Sequence, residues 1–441
     1  MKIRNILLLF VLVSFFACKP ELDDFTTSNG EADFTKYVAI GNSLTAGYTD
    51  GDLFKSGQEN SYPSMLAYQF EAAGGGEFKQ PMMLDEFGFG KRLLLDVSKP
   101  GPVAAGGTPD PGNGASIADQ GPFNNMGVPG AKSFHLLAPN YGIDLENGNP
   151  YFYRFASSPG ATVLEDAAAQ DATFFSCWIG ANDVLTYAIA GGAADSVTDI
   201  GTFSYAVDLI LQTMTTNDAK GVVANIPEIT SIPYFTFMNT QLPYNYLVLT
   251  EQAQVDALNG AYAPLNQAII ASGSNDTLSF ALGQNAFVIV DKSLTWGMRQ
   301  MDEDDLFLLT LPTDSIQNHG YGSQVAIPDS YVLTSNEQAE IHVAVTDYNI
   351  VLKNLANTYG LAFADMHAKL AEASTTGIEW DGITFTSTFI YGNAFSLDGV
   401  HMTGQGYALA TNFFIDAINT KYNAQIKFVN PNLYPGLYYY Q

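Results

Sequence analysis

Short apolar runs recur along the chain, and they constrain its fold more than any other feature of the sequence. Five of them are predicted to be strands: 37–40, 173–179, 222–226, 287–290 and 361–364. Nearly continuous apolar strands are typical of a parallel sheet that is buried on both faces. Stretches with helical spacing lie between some of these runs: 61–73, 205–215 and 336–358, with a last helix from about Gly404 to Tyr422. Alternation of strand and helix predicts an α/β fold.

Two segments interrupt this alternation and are predicted to be insertions at the open end of the sheet. The first, about 75–122, is rich in glycine and proline, and the second, about 230–335, mixes aromatic residues, prolines and the acidic run 302–305. That run lacks the spacing of an EF-hand, so a solvated loop is favoured over a calcium site. The aromatic run 232–238 fits two interpretations, a hydrophobic ligand pocket or the core of a small packed subdomain.

The first residues are predicted to be a signal peptide (1–17), not a part of the fold. Lys2 and Arg4 precede an apolar stretch of about eleven residues that is too short to span a bilayer. Cys18 follows where the apolar stretch stops, an arrangement that resembles the lipobox of bacterial lipoproteins. We therefore expect a lipid on Cys18, a polar tether over 18–35 and one globular domain over 36–441. The expected location is the outer membrane, on its periplasmic face or at the cell surface.

The charge and the cysteine content exclude several classes of function. A formal net charge of −27 disfavours contact with phosphate backbones, so nucleic acid is not an expected partner. The chain has two cysteines. With Cys18 assigned to lipid, Cys177 is predicted to be a buried thiol, and neither a disulfide framework nor a Cys/His zinc site can be built. No metal or cofactor is expected, and we expect a monomer.

A serine follows the first predicted strand in the sequence Gly41-Asn42-Ser43-Leu44. Residues at this position lie at the carboxyl edge of the sheet, where α/β proteins bind their ligands. Alone, such a serine is more often a turn residue or a helix cap.

An acid and a base lie together near the other end of the chain. Asp398 and His401 are three residues apart, just before the last predicted helix. At this spacing the carboxylate can accept the Nδ1 proton of the imidazole and leave Nε2 free to take a proton from a serine.

Two further segments offer hydrogen-bond donors. Asn182, in Gly180-Ala181-Asn182-Asp183, follows the strand predicted at 173–179 and could donate its amide to a developing oxyanion. Gly130 lies in a segment where glycine allows the close backbone approach that an N–H donor requires.

Together these residues resemble the SGNH (GDSL-like) hydrolases, a family named after the Ser, Gly, Asn and His of its four motif blocks. Here the four correspond to Ser43, Gly130, Asn182 and His401, in the family's order. The resemblance implies a three-layer α/β/α fold of the flavodoxin-like type. It also implies a Ser43–His401–Asp398 triad and an oxyanion hole formed by the N–H groups of Ser43 and Gly130 and the Asn182 amide.

The expected activity is that of a serine esterase, lipase or acylhydrolase that acts on a small-molecule or polysaccharide ester. Two departures from the family pattern leave an alternative open, a catalytically inactive scaffold that binds glycan or lipid at the membrane. Asn42 replaces the Asp of the first block, so its local hydrogen bonds are expected to differ, and the insertions make the chain longer than compact family members.

Overall fold

A five-stranded parallel sheet forms the centre of the computed structural model, which describes residues 25–99 and 101–439. The strands of this sheet are β1 (Tyr37–Gly41), β2 (Asn125–Gly127), β3 (Phe174–Trp178), β4 (Lys220–Ala224) and β5 (Ala362–Ala364). Their order across the sheet is β2-β1-β3-β4-β5, and every neighbouring pair is parallel. This is the doubly wound order of flavodoxin-like folds, in which the direction of strand addition reverses between β1 and β3.

Thirteen α-helices occur in the described part of the chain. They are α1 (Ser43–Ala46), α2 (Lys55–Glu59), α3 (Tyr62–Glu71), α4 (Pro150–Phe155), α5 (Val163–Ala168), α6 (Asn182–Ala188), α7 (Ile200–Met214), α8 (Pro233–Gln241), α9 (Gln252–Ala271), α10 (Thr313–Asn318), α11 (Ser335–Thr358), α12 (Met366–Thr375) and α13 (Gly404–Tyr422). None of the helices within residues 25–99 and 101–439 has the length and apolar character that a membrane span requires.

The side chains of the central strands alternate between two helical layers. In β1, Val38 and Ile40 join a core with α5, α7 and α11, whereas Tyr37 and Ala39 join a second core with α3 and α13. Both faces of the sheet are therefore covered, which explains why its strands are continuously apolar. The α/β prediction and the three-layer arrangement implied by the resemblance are confirmed.

Local signals in the sequence set the bounds of α3. Its cap is Ser61, whose hydroxyl oxygen accepts a hydrogen bond from the Ser64 N–H (3.3 Å), and Pro63 occupies the first turn. Tyr62, Leu66 and Phe70 are all buried, as their four-residue spacing predicts.

The last helix, α13, begins close to His401. The Thr403 hydroxyl caps it by accepting from the Gly406 N–H (3.0 Å), and Asn423 ends it in the left-handed conformation (φ 50°). The helix packs on β4 and β5, so its first turn is held at the edge of the sheet where the strands end.

Two predicted elements differ in the structure. The run predicted as a strand at 287–290 is not part of the central sheet: Val288–Val290 pairs with Met298–Gln300 in an antiparallel ribbon. An apolar run this short carries no information about which sheet it joins. Helix α7 begins five residues earlier than the spacing predicted, because Asp199 caps it by accepting from the Thr202 N–H (2.9 Å).

Residues 233–333, called here the insertion subdomain, contain two small hydrophobic clusters that are separate from the cores on the sheet. Its paired segments are three short antiparallel ribbons: Leu247–Leu249 with Gly283–Asn285, Val288–Val290 with Met298–Gln300, and Leu306–Phe307 with Val332–Leu333. Within 75–122, Leu93–Leu95 pairs with Pro102–Ala104, and two short 3₁₀ turns follow.

The acidic run of the insertion subdomain is not a solvated loop throughout. The fully buried Asp305 accepts two hydrogen bonds from the Arg299 guanidinium, at 2.6 and 2.8 Å, and Asp291 accepts a third at 2.8 Å. Burial alone would lower the pKa of Arg299, but the bonds to Asp305 and Asp291 raise it above its usual value. The expectation of a solvated loop is wrong for Asp305 and holds for Asp302, which is 70% exposed.

Two predictions concern cysteines. Cys177 is a buried free thiol, as predicted, and burial raises its pKa to about 12. Cys18, the predicted lipidation site, lies outside the described residues, as do the rest of 1–24.

Candidate active site

Ser43 is the second residue after β1, at the point where the strand order reverses. Asn42 caps the short helix α1: its side-chain oxygen accepts from the Leu44 N–H (3.1 Å). An aspartate could accept this bond equally well, so the observed contact gives no sign of the altered bonding expected from Asn42. Gly41 is required by close packing, because a Cβ there would collide with the Thr45 hydroxyl and with the carbonyl oxygen of Trp178.

The predicted acid, base and nucleophile are brought together across 358 residues of sequence. His401 Nε2 lies 2.8 Å from Ser43 Oγ, and His401 Nδ1 lies 2.8 Å from Asp398 Oδ2. Both distances are within hydrogen-bond range. Since Nδ1 faces a carboxylate, Nε2 is the imidazole nitrogen that is free to accept the serine proton.

Asp398 is held by several donors besides the imidazole. Its Oδ1 accepts from the N–H groups of Val400 (2.9 Å) and His401 (2.8 Å), and its Oδ2 accepts from the Gly51 N–H (2.9 Å). Burial alone would raise the pKa of Asp398, but His401 and these hydrogen bonds outweigh burial and hold it well below its usual value. The carboxylate is therefore ionised throughout the neutral range.

The loop after α1 supports the acid and the base. Asp50 accepts a hydrogen bond from the Leu397 N–H (3.0 Å), and its own N–H donates to the Ser396 hydroxyl (3.0 Å). That hydroxyl donates to Asp398 (3.1 Å). The ring of Tyr48 packs against His401 with 4.5 Å between ring centroids.

Burial raises the pKa of Asp50 to about 7, and the nearby charge of Asp398 acts in the same direction. A second carboxylate, Asp50, is thus held close to the triad and is protonated over part of the acid range. No motif or period in the sequence predicts the contacts of this loop.

Two of the three predicted oxyanion donors lie on the segments that flank Ser43. Asn182 begins α6, directly after β3, and one of its Nδ2 hydrogens donates to the Ala131 carbonyl (3.0 Å). Gly130 precedes Ala131 and has a positive φ of 80°, and no atom lies within 4 Å of where a Cβ would be. In the described part of the chain, the N–H groups of Ser43 and Gly130 have no hydrogen-bond acceptor.

Asp183 fixes the loop that carries Gly130. Its carboxylate accepts from the Ser133 N–H (2.8 Å) and from the Ser133 hydroxyl (2.7 Å), and it is fully buried. This contact joins the second and third motif segments, so the position of Gly130 depends on the residue after Asn182.

A cavity of about 890 Å³, including its open mouth, begins at the triad. Ser43, Asn182 and His401 line one end, and the remaining walls come mainly from α12, α13 and the segment 227–232. Of the aromatic run at 232–238, Ile232 lines this cavity, Phe235 is buried in the main core and Met238 belongs to a cluster of the insertion subdomain. The run therefore contributes to packed cores and to the cavity wall, and an acyl pocket stays a prediction.

No protein-family model matches the chain, and a search of curated proteins finds no match. Solved structures with a similar fold include a putative GDSL-like lipase from Parabacteroides merdae (10% identity, 89% of this chain and 99% of that chain, TM-score 0.36). They also include an extracellular lipase from Streptomyces rimosus (12%, 88% and 99%, TM-score 0.35) and a family 3 carbohydrate esterase from Clostridium thermocellum (12%, 88% and 98%, TM-score 0.32). Identities at this level do not establish a shared activity.

The assignment of the active site therefore depends on the positions of its own residues. The four motif segments meet at the carboxyl edge of the sheet, beside the point between β1 and β3 where the strand order reverses. The resemblance to SGNH hydrolases implies this arrangement and this strand order.

Proposed function

We propose that the protein is a serine hydrolase of carboxylic esters and that Ser43 forms the acyl-enzyme. The observation that carries this proposal is the continuous hydrogen-bonded chain from Asp398 through His401 to Ser43, with both imidazole contacts at 2.8 Å. A protein that only binds its ligand has no need of a base aligned with a serine hydroxyl.

In the first half-reaction, Ser43 Oγ attacks the ester carbonyl carbon while His401 Nε2 takes the hydroxyl proton. The oxyanion that forms is stabilised by the N–H groups of Ser43 and Gly130 and by the second Nδ2 hydrogen of Asn182. The intermediate collapses, and the alcohol leaves with the proton held by His401. Water then attacks the acyl-enzyme by the same route and releases the acid. Asp398 stabilises the imidazolium in both steps.

Hydrolysis of p-nitrophenyl acetate tests this proposal. The wild-type protein should release p-nitrophenolate, and Ser43→Ala should lower kcat by about 10⁴-fold or more. Ser64→Ala is a matched control, because Ser64 lies in α3 and its side chain makes no hydrogen bond in the described part of the chain. A Ser43→Ala protein that retains the wild-type rate would refute the assignment, and a folded wild-type protein with no activity towards any ester would favour the inactive binding scaffold.

We also propose that Cys18 carries the lipid that anchors this activity to a membrane. The described chain enters the domain beside the end of α13, where Ser28 and Gln425 exchange backbone hydrogen bonds at 3.2 and 2.8 Å. His401 lies before the start of this 19-residue helix, which is about 28 Å long. An anchor on the tether would therefore attach at the end of the domain opposite the active site. Metabolic labelling with palmitate, lost in Cys18→Ser, would support the anchor, and label that persists in that variant would refute it.

A further inference from the structure

Apolar side chains form most of the lining of the cavity beside Ser43. Its walls are built by residues from four segments of the chain, among them Leu185, Ile232, Leu370, Ile378, Leu409 and Phe413. Five of these six side chains belong to the buried clusters and the sixth, Phe413, packs against them, so the walls are fixed by the core.

We propose that this cavity holds the acyl chain of the substrate, so that the protein hydrolyses esters of straight-chain carboxylic acids of about eight carbons or more in preference to acetyl esters. This inference rests on the proposed function, since it assigns a substrate class to the same site.

The polarity of the walls favours a hydrocarbon chain. An acetyl group on Ser43 would reach only the side chains next to the triad and would leave the remaining apolar walls in contact with water. A sugar ring would lose its hydrogen bonds to water without finding partners there. Lys369 is the one ammonium group in the lining, and it is paired with Glu372 (2.9 Å) and lies 5.2 Å from the ring of Phe413.

The direction of the reaction assigns the cavity to the acid part of the ester. The alcohol leaves on the side of the imidazole, and the water of the second half-reaction must approach from the same side, because deacylation reverses the geometry of acylation. An apolar enclosure is a poor source of that water, so the leaving side must be open to solvent. The acyl group stays on the enzyme between the two steps, so contact with an apolar cavity stabilises it throughout the reaction.

Two ester series test the assignment. With p-nitrophenyl esters, kcat/KM should rise by about threefold per methylene and by about 10²-fold or more from acetate to octanoate. With alkyl acetates, lengthening the alcohol from methyl to octyl should change kcat/KM by less than about fivefold. A flat acyl series would overturn the inference, as would a gain confined to the alcohol series.

A variant that fills the cavity sharpens the test. Ala373 on α12 lines the cavity, whereas Ala371, two residues earlier on the same helix, is exposed. Ala373→Phe should lower the ratio of kcat/KM for octanoate to kcat/KM for acetate by at least about tenfold, and Ala371→Phe should leave this ratio unchanged. Equal loss on both esters in a folded Ala373→Phe protein would contradict an acyl site.

Ester binding can also be measured without turnover and without the cavity variant. Calorimetry on Ser43→Ala should detect methyl octanoate binding and give at least about tenfold weaker binding of methyl acetate. Equal affinities would overturn the acyl site. If acetate is hydrolysed in a Ser43-dependent way while the acyl series is flat, the inference fails and the proposed function stands. If no ester is hydrolysed but the affinities differ, the cavity binds acyl chains and the proposed function fails.

Discussion

Polar groups are held in fixed positions both at the carboxyl edge of the sheet and in the insertion subdomain, but by different interactions. At the edge, each functional side chain lies just after a strand or just before a helix, and two large cores fix these strands and helices in place. Backbone N–H groups orient the Asp398 carboxylate. In the insertion subdomain, ribbons of two or three residues a strand surround small clusters, and one guanidinium joins three carboxylates. A site on a continuous sheet can therefore lose a side chain without losing its shape, whereas the subdomain depends on single side chains.

The largest expected effect on stability tests that dependence. Arg299→Met leaves the buried Asp305 and Asp291 without their cationic partner, and removal of one member of a buried ion pair typically costs about 3–5 kcal/mol. Urea unfolding should show this loss, as an earlier transition of the whole chain or of the subdomain alone. Lys292→Met removes a pair whose lysine is 66% exposed, so it should cost less than about 1 kcal/mol. Equal effects of the two variants would mean that the Arg299 cluster does not stabilise the subdomain.

The next effect should fall on catalysis. Asn182→Ala removes a predicted oxyanion donor and should lower kcat by about 10² to 10³-fold with little change in KM. Asn182→Asp keeps the size of the side chain but cannot donate in its ionised form, so its loss should be similar or larger. If Asn182→Asp keeps the wild-type kcat, the amide is not an oxyanion donor and Asn182 only holds the Ala131 carbonyl.

The smallest effect concerns the pH dependence of stability near the triad. Burial raises the pKa of Asp50 from 3.8 to about 7, so the folded state binds a proton that the unfolded state releases between these values. This contribution to stability is fully present below pH 3.8 and is lost as the pH rises to about 7. Asp50→Asn keeps an acceptor for the Leu397 N–H and tolerates the φ of 48°. It should therefore match wild type at pH 4 and exceed its free energy of unfolding by about 1–3 kcal/mol at pH 8.

Asp347→Asn, on the exposed side of α11, provides the control for this comparison. It should change the free energy of unfolding by no more than about 0.5 kcal/mol at either pH. A difference between wild type and Asp50→Asn that stays the same from pH 4 to pH 8 would show that Asp50 does not titrate in this range.

The sequence predicted the two regions unequally, for physical reasons. Four of the five apolar runs became strands of the sheet. Ser43 meets Asp398 and His401 because it follows a strand at the carboxyl edge, where α13 begins directly after His401. The run at 287–290 carries the same apolar signal but joins a ribbon, since burial against a local cluster also favours a short apolar strand.

Contacts between distant loops left no signal in the sequence. Asp50 is hydrogen-bonded to Leu397, and Gly51 to Asp398, and each pair is 347 residues apart in the sequence. No periodicity or motif at these positions indicates the partner. The cavity was missed for the same reason, because its walls combine α12 and α13 with the segment 227–232.

The most direct test of the central claim is the site of covalent labelling by a fluorophosphonate. The probe should form one adduct per molecule, and mass spectrometry of the digested protein should place it on Ser43. Labelling should be lost in Ser43→Ala and slowed by about 10³-fold or more in His401→Ala, which removes the base. An adduct on any other serine, or unchanged labelling of Ser43→Ala, would contradict the assignment of Ser43 as the nucleophile.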